Sequence, residues 1–101
     1  MTDEGDVMDM RGAMREFLAG EGLQELEDLL RIKEAWRGLV GEETAARTKP
    51  YRLEKGKLYV GVGSHAWAQE VHYRVEDIKT KIKEELAVDI REINVKKINL
   101  R

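Results

Sequence analysis

Between Leu58 and Leu86 the chain reads LYVGVGSHAWAQEVHYRVEDIKTKIKEEL, and this stretch restricts what the remainder can build. Leu58, Val60 and Val62 alternate with Tyr59, Gly61 and Gly63, the two-residue period of a strand with one buried face. Ser64 follows as a helix N-cap, a hydroxyl placed to accept from the exposed amides of a first turn. From there Trp67, Val71, Val75, Ile78, Ile82 and Leu86 recur at steps of four and three, which keeps them on one side of a helix. His72-Tyr73-Arg74 lies midway, and one kinked helix or two separate helices both satisfy the pattern. Such a strand and helix cannot cover their apolar faces by themselves, so the flanking segments must supply the other layer.

Those segments are short, because the chain has 101 residues, enough for one domain. Met1–Met10 is acidic and aperiodic and is expected to be a flexible terminus; residues 11–101 are expected to form the domain. Arg11–Ala19 fits a short helix with Met10, Met14, Phe17 and Leu18 on one face, broken at Gly20-Glu21-Gly22. Leu23–Val40 is a stronger helix whose stripe reads Leu26, Leu29, Ile32, Trp36 and Leu39 or Val40, with Gly41 marking its exit. Glu42–Arg47 suits a further helical turn, and Pro50 ends it by forcing Lys49 out of the α region. Tyr51–Glu54 is the first strand, Lys55-Gly56 a tight hairpin turn, and Lys57–Gly63 the second strand. The glycines on the second face of that strand leave it flat, open to close approach by another backbone or a ligand. Ile90–Leu100 closes the fold as a strand with Ile93 and Val95 inward. The result is an α+β domain with a three-stranded sheet and helices packed on one face.

Composition removes several chemistries. With no cysteine there are no disulfides, thiolate metal sites or cysteine nucleophiles. No run of apolar residues is long enough to span a bilayer, and the acidic start is unlike a secretory signal, so a cytoplasmic location is expected. Gly61-Val62-Gly63-Ser64-His65-Ala66 matches G-x-G-x-x-A, but it follows a hairpin in a chain too small for a doubly wound sheet. His65 and His72 are seven residues apart with no further histidine or any cysteine to complete a metal set. Ser64 beside His65 has no orienting carboxylate, and the pairs Glu42-Glu43 and Glu84-Glu85 sit on solvated faces. No enzyme signature, cofactor or small-molecule site is expected.

Charge, in contrast, is unevenly distributed. Residues 1–46 hold 5 basic and 12 acidic residues, and residues 47–101 hold 13 basic and 8 acidic. Arg47, Lys49, Arg52, Lys55 and Lys57 surround the hairpin. Arg74, Lys79, Lys81 and Lys83 follow on the second helical segment, with Lys96, Lys97 and Arg101 on the last strand. If the groups meet in space they form a stripe for phosphates. The residues expected to touch nucleic acid are Arg47, Lys49, Arg52, Lys55, Lys57, Arg74, Lys79 and Lys83. Trp36 and Trp67 lie on apolar stripes and are expected in the structural core with Gly41, leaving Tyr51, Tyr59 and Tyr73 as candidates for stacking on bases.

These residues carry a family resemblance. Trp36, Val40 and Gly41 fit a W-x-x-x-V-G helix end. Leu58, Val60 and Val62 fit an L-x-V-x-V strand, and Ser64, Trp67, Ala68, Gln69 and Glu70 fit a S-x-x-W-A-Q-E helix start, with Val71 in place of a leucine. Over residues 13–98 the chain resembles the DciA family. The resemblance implies a K-homology-like domain, of type II-like order α-β-β-α-α-β, acting in bacterial DNA replication with the replicative DNA helicase and single-stranded or fork DNA as partners. His72-Tyr73-Arg74 stands where RNA-binding K-homology domains carry their G-x-x-G loop. The other reading is a protein-only adaptor whose acidic first half binds a basic partner.

Overall fold

The computed structural model describes Gly12, Arg15 and residues 20–99; the expected acidic terminus and most of the expected Arg11–Ala19 helix lie outside the described residues, though Gly12 and Arg15 are helical. Seven elements follow: α1 (Glu21–Val40), α2 (Glu42–Arg47), β1 (Thr48–Glu54), β2 (Lys57–Val62), α3 (His65–Tyr73), α4 (Val75–Leu86) and β3 (Glu92–Lys97). The sheet order is β1-β2-β3, with β1 and β2 antiparallel and β2 and β3 parallel. This is the α+β architecture expected, with the helices over one face of a mixed sheet.

The core begins on the sheet. Leu58, Val60 and Val62 of β2 are fully buried, and Leu53 and Ile93 join them from either side. Ile32, Trp36 and Leu39 of α1, Val71 of α3, and Ile78 and Ile82 of α4 cover that face. Each such side chain contributes about 1.5–3 kcal/mol by leaving water. Trp67, Val75 and Leu86, the rest of the helical stripe, are partly buried against this cluster.

α1 starts earlier than its sequence suggests. Gly22 does not break the helix but lies buried within its first turn. One glycine costs about 1 kcal/mol of helix propensity, less than the packing of a stripe that holds five buried residues, Leu29, Ile32, Trp36, Leu39 and Val40. Leu26, expected in that stripe, is exposed instead, as are Leu23 and Leu30. At about 100° per residue these three share a sector beside the core-facing one, so the three-residue step from Leu26 to Leu29 crosses its boundary.

Gly41, with φ of 96°, separates α1 from α2, and its N–H donates to the Arg37 carbonyl at 2.9 Å. β1 then begins at Thr48, three residues before the expected start, and includes Pro50. β1 is an edge strand, where a missing N–H costs no ladder bond. The register with β2 shifts between Pro50 and Arg52, so Tyr51 is the extra residue of a bulge. Lys55 and Gly56 have φ of 51° and 81°, the paired positive values of a type I′ hairpin turn.

Ser64 caps α3, accepting from the Trp67 N–H at 3.2 Å. The helical region is two helices, not one: Arg74 leaves helical geometry at φ −103° and ψ 10°, and its N–H donates to Val71. The stripe survives because the break keeps Val75 on the same side as Val71. β3 is shorter than the expected Ile90–Leu100. Ile90 is buried ahead of the strand, and Leu100 lies outside the described residues.

Candidate nucleic-acid interface

The strand residues that face away from the helices form three rows across the sheet, set by register. At the hairpin end the row is Glu54–Lys57–Glu92, the middle row is Arg52–Tyr59–Asn94, and the far row is Lys49–Gly61–Lys96. The rows carry one net negative charge, one positive and two positive, in that order. The outer face thus grades from acidic at the hairpin to basic at its other end.

The bulge shapes the middle row. With one extra residue, Tyr51 and Arg52 both sit beside Tyr59. The two tyrosine rings are 6.1 Å apart between centroids, tilted at 47°. The Arg52 guanidinium lies 5.3 Å from the Tyr59 centroid and the Lys57 ammonium 5.9 Å from it. Cations in this position are attracted by the negative face of the ring. Tyr51 and Tyr59 are half-buried, whereas Tyr73, at the junction of α3 and α4, is 84% exposed.

The far row is built differently. A methyl group placed on Gly61 would come within 2.0 Å of Ile98 Cδ1. The glycine surface expected to receive a ligand or backbone is therefore occupied by the chain's own Ile98, whose N–H donates to the Val62 carbonyl at 2.8 Å. Lys49 and Lys96 flank this filled position.

The eight expected basic contacts separate by neighbour. Arg52 pairs with Glu54 at 2.8 Å, Lys57 with Glu92 at 4.0 Å, Lys79 with Glu76 at 3.5 Å and Lys83 with Asp89 at 3.6 Å. Arg74 Nη1 donates to Thr44 Oγ1 at 3.0 Å, which turns it toward α2. Lys55 stands in the hairpin turn, where its backbone N–H donates to Glu25. Among the described residues from 47 onward, Arg47, Lys49, Lys55, Arg74, Arg91, Lys96 and Lys97 have no carboxylate within 4.0 Å. Exposed ion pairs add little stability, but they cancel charge that would otherwise attract phosphate.

Sequence reading passes over Arg91. Its N–H donates to the Gly56 carbonyl at 2.7 Å and its side-chain stem crosses Gly56. It lines a surface cleft of about 430 Å³ with Lys55, Lys57 and Tyr59, and a second of about 360 Å³ with His72, Tyr73 and Lys79. Arg91 therefore connects the hairpin cations to Lys79, although Glu54, Glu76 and Glu92 interleave with them. A residue between the end of a helix and the start of a strand gives no periodic signal of this contact.

Of the residues expected to be structural, Trp36 is buried and Trp67 partly buried, while Gly41 is exposed and serves as the helix break. His65 and His72 are both exposed, and no group of three His, Cys, Asp or Glu among the described residues is arranged to hold a metal. No helix among the described residues is long and apolar enough to cross a membrane.

No curated protein matches the chain. The model of one family, described as Dna[CI] antecedent, DciA, matches residues 10–95. That match covers every helix and strand described above except the last residues of β3. The chain belongs to the DciA family.

Proposed function

We propose that this chain is a DNA replication accessory protein that helps load or operate the replicative helicase. In this reading it touches single-stranded or fork DNA through backbone charge and does no covalent chemistry. The family match over residues 10–95 is the observation that carries it. The outer sheet face adds support, because its far row presents Lys49 and Lys96 with no acid between them, a pattern suited to phosphates. Co-purification with the replicative helicase of the same cell, together with a salt titration of labelled DNA binding, tests the proposal. Capture of the helicase and an affinity that falls with salt are expected. No capture, together with no DNA binding at low ionic strength, rejects it.

A protein-only adaptor is the second reading, and one surface favours it. Leu23, Leu26 and Leu30 are exposed on α1, and Glu27 and Glu34 flank them at helical spacing. Such a face suits a basic amphipathic segment of a partner. Under this reading, Glu27→Lys with Glu34→Lys abolishes the complex, whereas Lys79→Glu with Lys83→Glu leaves it intact and no DNA binds.

A further inference from the structure

We infer that the row Lys49–Gly61–Lys96, at the Ser64 end of the outer sheet face, is where this protein holds the DNA backbone. The inference rests on the proposed function and gives its DNA contact a position. Of the α4 lysines expected to meet nucleic acid, Lys79 is paired with Glu76 and Lys83 with Asp89. At the hairpin end, Lys57 sits between Glu54 and Glu92 in its row.

The far row has two lysines and no acid. Register puts Lys49 and Lys96 on either side of Gly61, on the same face. Two strand spacings separate their backbones by about 10 Å. A single phosphodiester backbone crossing the sheet there meets both ammonium groups. Arg47, whose carbonyl accepts from the Gly63 N–H, and Lys97, paired with Val62, stand at the same end. Neither has a carboxylate within 4.0 Å among the described residues. Ile98 fills the space over Gly61, so the floor between the lysines is apolar and offers no competing anion. The next row, two residues along β2 and about 7 Å away, carries Tyr59 and Arg52, a stacking surface for an adjoining base.

This position differs from the junction between α3 and α4, where Tyr73 is exposed. The two are separable by experiment. Binding of a labelled oligothymidylate is followed by fluorescence anisotropy from 20 mM to about 300 mM salt, conditions that resolve phosphate contacts by their counterion release. Lys49→Gln with Lys96→Gln is expected to weaken binding about tenfold and to lower the logarithmic salt slope by about 1.4, since each single-strand phosphate contact adds about 0.7. Lys79→Gln with Lys83→Gln is expected to stay within about twofold of the parent, and Lys49→Arg with Lys96→Arg to restore the slope. A second measurement uses the unaltered protein: bound oligothymidylate should protect Lys49 and Lys96 from amine acetylation more than Lys79 and Lys83. Unchanged binding by the Lys49/Lys96 variant, or protection confined to Lys79 and Lys83, overturns the inference while leaving the proposed function standing. Helicase capture without any binding of oligothymidylate at 20 mM salt overturns it too, and leaves only the helicase half of that function.

Discussion

Trp36 and Thr48 are joined by a hydrogen bond of 3.0 Å from the indole N–H to the threonine hydroxyl, and both residues are buried. The hydroxyl in turn donates to the Thr44 carbonyl at 2.7 Å. One oxygen thus ties the end of α1 to α2 and to the first residue of β1. Thr48→Val keeps the shape but leaves the indole N–H and the Thr44 carbonyl without a partner. The expected cost is about 2–3 kcal/mol, read from the urea midpoint, because each orphaned buried group costs about 1–3 kcal/mol. Thr48→Ser keeps the hydroxyl and should cost about 1 kcal/mol, near the value of one buried methyl group.

Gly61 and Ile98 make a test of shape without polarity. A methyl group on Gly61 would lie 2.0 Å from the end of the Ile98 side chain, and the Ile98 backbone is held by its bond to Val62. Gly61→Ala should therefore force Ile98 from its place at a cost of about 1–3 kcal/mol. In an Ile98→Ala background the same change should cost at least about 1 kcal/mol less. Equal costs in the two backgrounds would show that Ile98 does not occupy the glycine surface.

At the other end of β2, Gly56 accepts from both Arg91 and Glu92, and the Arg91 stem covers it. Two effects oppose Gly56→Ala: the φ of 81° and the 2.8 Å approach of Arg91 Cδ. The arginine is flexible and can move, whereas a left-handed conformation costs a non-glycine residue about 1–2 kcal/mol. The backbone effect should win. Gly56→Ala is expected to lose about 1–2 kcal/mol by denaturant unfolding, and Arg91→Ala should recover little of it.

These particulars separate what a linear reading reveals from what it conceals. The strand and helix of 58–86 were legible because their periods are local: Leu58, Val60 and Val62 at alternate positions, Val71, Ile78 and Ile82 at helical steps, and Ser64 at the boundary. The hairpin was legible for the same reason, since Lys55-Gly56 needs only neighbours to define it. Pro50 within a strand was not, because its tolerance depends on β1 lying at an edge. Leu26 was misplaced by one helical sector, a difference that step-counting does not resolve. For the candidate interface, the sequence supplies the cations but not their neighbours. Which of them face an acid, and which share a row, follows from a strand register that no short-range pattern encodes.

Ala87 closes α4 in the left-handed region, at φ 58° and ψ 33°, with its N–H donating to the Lys83 carbonyl at 3.0 Å. Glycine is the usual residue at such a position, since a β-carbon there meets its own backbone. Replacing Ala87 by Gly removes about 1–2 kcal/mol of that strain. It also lets the unfolded chain sample more conformations, which offsets about 0.5–1 kcal/mol of the gain. The strain is the larger quantity, and the side chain is exposed, so no packing is lost. Ala87→Gly should therefore stabilise the protein by about 0.5–1 kcal/mol, shown as a higher urea midpoint with an unchanged slope. A lower midpoint would mean that unfolded-state freedom outweighs the relief and that the α4 end does not adopt this conformation strictly.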